Sequence, residues 1–362
     1  KKQASFLVNK YDILVTNPPY LNSAYMEGRL KQFIDSEYKT TKSDLFSCFI
    51  MQATWLTKKE GIIGLLSPFV WLFLHSYEFL RSHIITNTTL ASLIQLEYNA
   101  FGAAVVPVCT FILRNSYVKS YNGTYIRLSE FKGIENQAPR TLEAIKNTNC
   151  NWRYYAKQDL YKKIPSNIIA YWLPEQVPNI FVDNKSLADT SIIRKGIFTG
   201  DNNRFIRYWF EIPQNNIGHD IHTEREAINS EKKWYYYVKG GAFRKYYGNH
   251  EFVLNYQYNG KELSHFDGSG ISVAKTLFYY EGLVWSKITN YRLSFRFKQN
   301  NIQNDDASPM IKKSDEINIY YLIALLNSEV ANYFMKFLSP TMSNQAGDIG
   351  KMPIIVDKNF EK

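Results

Sequence analysis

Cysteine is scarce. The chain of 362 residues holds three, Cys48, Cys109 and Cys150, far apart and odd in number. A disulfide framework is excluded and no zinc-type spacing appears, so a reducing, cytoplasmic setting is the expectation. Long apolar runs are missing too. The longest, "GIIGLLSPFVWLFL" from Gly61 to Leu74, is too short to cross a bilayer and is broken by Ser67-Pro68. No membrane partner is therefore expected. There is no secretory leader pattern, internal repeat or low-complexity tract, and no Ser/His/Asp triad, phosphate loop or nuclease-like acidic cluster. No glycine-rich strand–helix turn precedes the first strand pattern, at Tyr11. The chain starts with Lys1 and reaches that strand almost at once, which reads as a piece of a longer protein.

What is present is basic and aromatic. A formal net charge of +10 favours a polyanionic partner, and aromatics at 16% supply rings for stacking as well as for a core. Residues 11–16 read as a short buried strand. Apolar spacing at Phe46, Phe49, Ile50, Ala53 and Leu56 predicts a helix over 43–58, capped by Ser43 or Asp44. Strands are predicted at 61–67, 90–98 and 107–115, and a helix at 76–85. The last two strands are linked too briefly for a helical crossover, so they should run antiparallel. Near-continuous apolar strands alternating with helices predict an α/β fold with a mostly parallel, covered sheet. Residues 119–189 read as a helical, proline-punctuated connector. Residues 190–300 show short alternating strands rich in Tyr, Trp, Asn and basic side chains, and 318–338 read as one long amphipathic helix.

The chemistry concentrates in "YDILVTNPPYLN". An apolar strand runs straight into Asn17-Pro18-Pro19-Tyr20. In open α/β sheets, ligands bind at the C-terminal edge of the strands. Two prolines stiffen the loop and remove N–H donors, leaving carbonyl acceptors free. The exocyclic amino group of a base offers two N–H donors. The Asn17 side-chain oxygen and the Pro18 carbonyl match both, and Tyr20 supplies a ring to stack on the base, a contact of about 1–3 kcal/mol. A base must leave the duplex to be reached in this way. The bland alternative is a proline turn after a strand.

The tetrad resembles the catalytic motif of adenine-N6 DNA methyltransferases. "GIIGLLSPFVWL" is similar to their next strand, and "FGAAVVPVCTFIL" to the antiparallel pair that closes their sheet. The resemblance implies that Phe101 packs on the flipped adenine beside Tyr20; an ordinary core Phe is the alternative. Five later blocks carry a second resemblance: "RKGIFTGDNNRFIRYWFEI", "KWYYYVKGGAFRKYYGNHEFVLNY", "EGLVWSKIT", "LLNSEVANYFMKFLSPT" and "GDIGKMPI". They are similar to the specificity region of the PglX methyltransferases of BREX phage-defence systems, with related segments in fused type IIG restriction–modification enzymes.

The resemblance implies the C-terminal half of a Rossmann-like class I methyltransferase sheet (1–118), the connector (119–189) and an α+β target-recognition domain (190–362). It implies catalytic roles for Asn17, Pro18, Pro19 and Tyr20, S-adenosyl-L-methionine as methyl donor, no metal, double-stranded DNA as substrate and other BREX components as possible partners. The donor site of such enzymes lies upstream of the tetrad's strand, so the piece alone is expected to be inactive. "DGSG" (267–270) is the only candidate glycine cluster for that site; it lies in the wrong half, without a strand–helix frame, and reads as a turn.

Base contacts set specificity and backbone contacts set register. Lys195, Asn202, Arg204, Lys239, Arg244, Lys245 and Arg296 are the expected DNA contacts, each with a solvated surface charge or polar turn as its alternative. His219 and His222 lack further ligands at metal spacing. Cys109 reads as core. Asn327-Ser328 and Asn344-Gln345 either reach DNA or cap elements. Two further readings stay open: a fused restriction–modification enzyme, and a DNA-binding specificity subunit without turnover. Methylation of a protein glutamine fits the tetrad but not the basic, aromatic second half.

Overall fold

The computed structural model describes residues 6, 8–98, 100, 106–270, 277–290 and 292–355. The chain divides into two compact units, Lys1–Asp183 and Asn184–Lys362.

The first unit is built on a six-stranded mixed sheet. Its strands are β1 (Tyr11–Thr16), β2 (Thr57–Pro68), β3 (Thr89–Gln95), β4 (Val108–Arg114), β5 (Asn122–Arg127) and β6 (Arg153–Lys157). The order is β1-β2-β4-β3-β5-β6. β1 and β2 are parallel. β4 is antiparallel to both β2 and β3, so these two share one direction. This is the α/β, Rossmann-like arrangement expected from the sequence, including the antiparallel pair. Its longer helices are α1 (Gly28–Glu37), α2 (Leu45–Leu56), α3 (Glu78–Asn87) and α4 (Ile134–Lys146).

Local rules account for these elements. α2 starts where the Asp44 carboxylate accepts the Phe46 N–H, and Phe46, Ile50, Met51 and Ala53 form its buried face. The chain turns directly into β2, whose Ile63 and Leu65 are buried. Gly61 is required there. A Cβ would stand 2.7 Å from the Asp12 carbonyl of β1, so only glycine lets the two strands close at that point. α3 buries Leu80, Ile84 and Arg81. The Arg81 guanidinium donates to the carbonyls of Trp71, Leu74 and Ser166. Burial pushes it down to about 10, while four hydrogen bonds satisfy it.

Two expectations change in this unit. β1 was expected to be buried, yet Ile13 and Val15 are 66% and 77% exposed. β1 is an edge strand, with only β2 beside it among the described residues. Residues 119–189, read as a connector, contribute β5, β6 and α4, and β5 pairs in parallel with β3.

The second unit holds two four-stranded sheets, ordered β14-β10-β11-β9 and β13-β12-β15-β8. The first combines β9 (Ile206–Tyr208), β10 (Trp234–Val238), β11 (Phe252–Asn255) and β14 (Gln303–Asn304). The second combines β8 (Ile193–Arg194), β12 (Gly282–Trp285), β13 (Phe295–Lys298) and β15 (Met310–Lys312). Val238, Ile302, Val284 and Met310 join the two in one apolar cluster. A short antiparallel pair, β7 (Lys185–Ser186) with β16 (Pro353–Ile354), brings the two ends of the unit together.

The single helix expected over 318–338 is two, α5 (Ile319–Leu326) and α6 (Glu329–Leu338). Ser328 caps the second through the Ala331 N–H. Asn327 turns to β13, accepting the Phe295 N–H and donating to its carbonyl. The amphipathic period continues across the break, so periodicity alone does not mark it.

Candidate active site

Asn17 to Tyr20 leave the C-terminal end of β1, where Thr16 pairs with Leu65 of β2. Pro18 is buried, while Asn17, Pro19 and Tyr20 are exposed. The Tyr20 hydroxyl donates to Asn17 Oδ1 at 2.8 Å, with the Leu66 carbonyl at 3.4 Å as its other acceptor. This bond holds the Asn17 amide in one orientation and leaves that oxygen a second lone pair. Burial, and to a lesser degree Cys109, raises the Tyr20 phenol above its usual value, so it remains a donor. The Tyr20 ring stands edge-on to buried Phe46, at 6.3 Å and 85°. Phe46 rests in turn on Tyr77 at 5.4 Å.

The loop is also held from behind. Asp44 accepts the Leu21 N–H at 3.0 Å as well as the Phe46 N–H at 3.3 Å. One carboxylate thus ties the residue after Tyr20 to the N-terminus of α2. Leu45 N–H donates to the Leu21 carbonyl and Ser23 N–H to the Ser43 carbonyl, completing a short backbone ladder. Asn22 caps the turn that follows, through the Ala24 N–H. Desolvation raises the Asp44 carboxyl, and the N–H bonds from Phe46, Leu21 and Leu45 oppose that rise. The sequence marks Asp44 only as a possible helix cap. Its second bond, to Leu21, spans twenty-three positions and has no local signature. Phe101 lies outside the described residues. Cys109 is fully buried, with its thiol pushed up to about 12 by burial, as a core cysteine should be.

In the second unit, the basic residues singled out in the sequence are unequal. Arg204 gives two bonds to Glu262 and remains half-exposed. Arg244 is more than half-exposed, 3.8 Å from Glu251. Lys245 donates to the Asn327 carbonyl. Lys195 and Lys239 lie beside Asp306 and Asp305, at 3.8 and 3.5 Å. Asn202 accepts the Thr199 hydroxyl in the predicted tight turn.

Arg296 does not fit the role expected of it. Opposite Val284 on β13, it is fully buried, and burial pushes its guanidinium down to about 10. Phe295 beside it is fully buried too, so β13 is covered on both faces where Arg296 stands. His222 bonds to Asn300, and no group of three or more metal-ligating side chains occurs among the described residues.

Comparison with known proteins gives a family match in the first hundred residues and relatives that match nearly the whole chain. Residues 1–101 match the Eco57I restriction-modification methylase family. The adenine-specific methyltransferase PglX of Lacticaseibacillus casei (strain Zhang) is 31% identical over 358 residues, 96% of this chain and 30% of that protein. The chain is PglX-like in sequence. Adenine-specific methyltransferase BrxX of Escherichia coli O9:H4 (strain HS) is 30% identical over 99% of the chain and 29% of its own length. The chain therefore spans about 30% of the length of the curated relatives it matches. This PglX-like chain also shares its fold with the Type ISP restriction-modification enzyme LlaGI, solved as a nuclease-deletion mutant with a DNA substrate mimic. The likeness covers 99% of the chain and 34% of LlaGI, with a TM-score of 0.54 and 11% identity.

Proposed function

We propose that the chain forms the target-base and DNA-specificity portion of an adenine-specific DNA methyltransferase. The parent enzyme would transfer a methyl group from S-adenosylmethionine to N6 of an adenine swung out of double-stranded DNA, marking host DNA in phage defence. The observation that carries this is the Asn17–Tyr20 loop: an exposed amide oriented by a phenol, at a strand end and locked to a helix N-terminus. Asn17 Oδ1 and the Pro18 carbonyl accept the two amino hydrogens of the adenine, and the Tyr20 ring stacks on its face. Accepting both hydrogens draws the nitrogen lone pair out of conjugation with the ring, making it the nucleophile.

The described residues contain no glycine-rich strand–helix turn with an acidic partner to cradle the methyl donor. The role assigned to this chain is therefore confined to the base and the DNA. The exposed basic residues Lys195, Arg204 and Arg244 hold the duplex, and Asn202, Lys239 and Lys245 shape that surface. The relatives' names place them with adenine methylation, and BREX components are the proposed partners in the cytoplasm. The Eco57I match favours a second reading, an enzyme that also cuts. Cleavage of unmethylated DNA by the full-length protein would decide for it.

The test is Asn17→Ala in the full-length protein. Methyl transfer to DNA should fall at least about a hundredfold, as for loss of a group that acts directly on the reacting atom. DNA affinity should stay within about twofold. Wild-type turnover in this variant would remove the proposed role of the loop.

A further inference from the structure

The segment from Gly240 to His250, between β10 and β11, is a built finger. Its base is fixed by reciprocal bonds between Gly241 and Ser286: the Gly241 N–H donates to Ser286 Oγ, and that hydroxyl donates to the Gly241 carbonyl. Its neck is closed by the buried Asn249 amide, which donates to the Ala242 carbonyl at 3.1 Å. Its side is threaded onto β13: Tyr246 N–H donates to Phe295 O, and Phe297 N–H to Tyr246 O at 2.8 Å. A backbone held at three places has little conformational freedom left to lose on binding.

What this rigid backbone presents is costly to leave in water. Phe243, Tyr246 and Tyr247 are 44%, 56% and 57% exposed, with Arg244 among them. Tyr246 has φ +73°, a left-handed conformation that a bulky side chain adopts only when its surroundings enforce it. Gly248 makes room for Arg244: a Cβ there would stand 2.8 Å from Arg244 Cδ. Beneath the finger lies Arg296, buried and influenced by the charges of Arg244 and Glu251. Two cations, Arg244 and Arg296, thus share one carboxylate, Glu251. Exposed rings set in positive charge suit a ligand that offers both flat faces and anions.

We infer that the finger is a nucleobase-stacking element, in which the Tyr246 ring lies against a base unstacked from its neighbours in the bound DNA while Arg244 holds a neighbouring phosphate. This rests on the DNA-binding reading of the second unit and adds to it a stacking contact separate from the tetrad. Charge alone would bind phosphates without rings, and an apolar protein partner would not need the cations. A nucleic acid uses both.

The deciding variant is Tyr246→Gly in the full-length protein. Glycine adopts positive φ freely, so the fold should be as stable as wild type or more so. Affinity for a labelled duplex cut from host DNA should drop about 10- to 100-fold, as for loss of one stacked base. The slope of log affinity against log salt should not change, because no phosphate contact is removed. Tyr246→Phe, which keeps the ring, should bind like wild type, and Arg244→Ala should reduce the slope by about one. Wild-type affinity in Tyr246→Gly overturns the inference, even if the wild-type protein binds and methylates DNA. So does a Tyr246→Phe variant as weak as the glycine variant, since the hydroxyl would then make the contact. A wild-type protein that binds no DNA would overturn the proposed function as well.

Discussion

Asp44 shows how much one side chain settles. Its carboxylate caps α2 and holds Leu21, so it fixes where Tyr20 and Asn17 stand. Asp44→Ala should cost about 1–2 kcal/mol, the usual range for a lost cap, and should also lower methyl transfer. Asn keeps an acceptor oxygen. Since burial raises the Asp44 carboxyl, the neutral amide removes a desolvation cost, and Asp44→Asn should match wild type in denaturant titration and in turnover. Equal losses in both variants would contradict this account.

Lys298 offers a pH test. It is buried, donates to the carbonyls of Phe278, Tyr280 and Gln299, and burial pushes its ammonium down to about 7. Below about pH 7 both folded and unfolded states hold the proton. Above it, the folded state releases the proton while the unfolded state keeps it up to the ordinary lysine value, so stability rises with pH across that window. The stability difference between wild type and Lys298→Met should move in favour of wild type from pH 7 to 9. A flat difference would mean that Lys298 keeps its proton throughout. At this scale, the position of the tetrad at a strand end was legible in sequence because an apolar run stopped by two prolines is a local signal. Arg296 read as a DNA-facing or surface cation because nothing in a short window shows which way a strand residue faces.

Among the elements, the first unit was the more legible. β1, α2, β2, α3, β3 and β4 all appear close to their expected places, because apolar period, caps and short links are local signals. β5 and β6 were missed: their pairing partners lie far along the chain, and "YNGTYIR" and "RYYAK" lack a long apolar run. The break between α5 and α6 was missed for a related reason. Asn327 stops the helix because its amide makes a two-point contact with Phe295, thirty-two residues away. Asn327→Ala would leave the buried N–H of Phe295 unpaired and its carbonyl with the Tyr246 N–H as remaining donor, and should cost about 1–3 kcal/mol. Asn327→Asp, which accepts but cannot donate, should also destabilise. Unchanged melting in both would show that β13 does not depend on this contact.

For the whole molecule, the two units differ in what they expose: one presents the Asn17–Tyr20 loop, and the other basic and aromatic side chains. A count of basic residues overstates the positive surface of the second unit, since several of its cations lie within 4 Å of carboxylates. The likeness to PglX and BrxX covers both units in one alignment. The central claim is that the loop serves methyl transfer to adenine. The most direct measurement supplies the full-length protein with S-adenosylmethionine labelled in its methyl group and unmodified host DNA, then digests the DNA to nucleosides. The label should appear in N6-methyladenine and vanish with Asn17→Ala. Label in another base, or undiminished label with Asn17→Ala, would contradict the account.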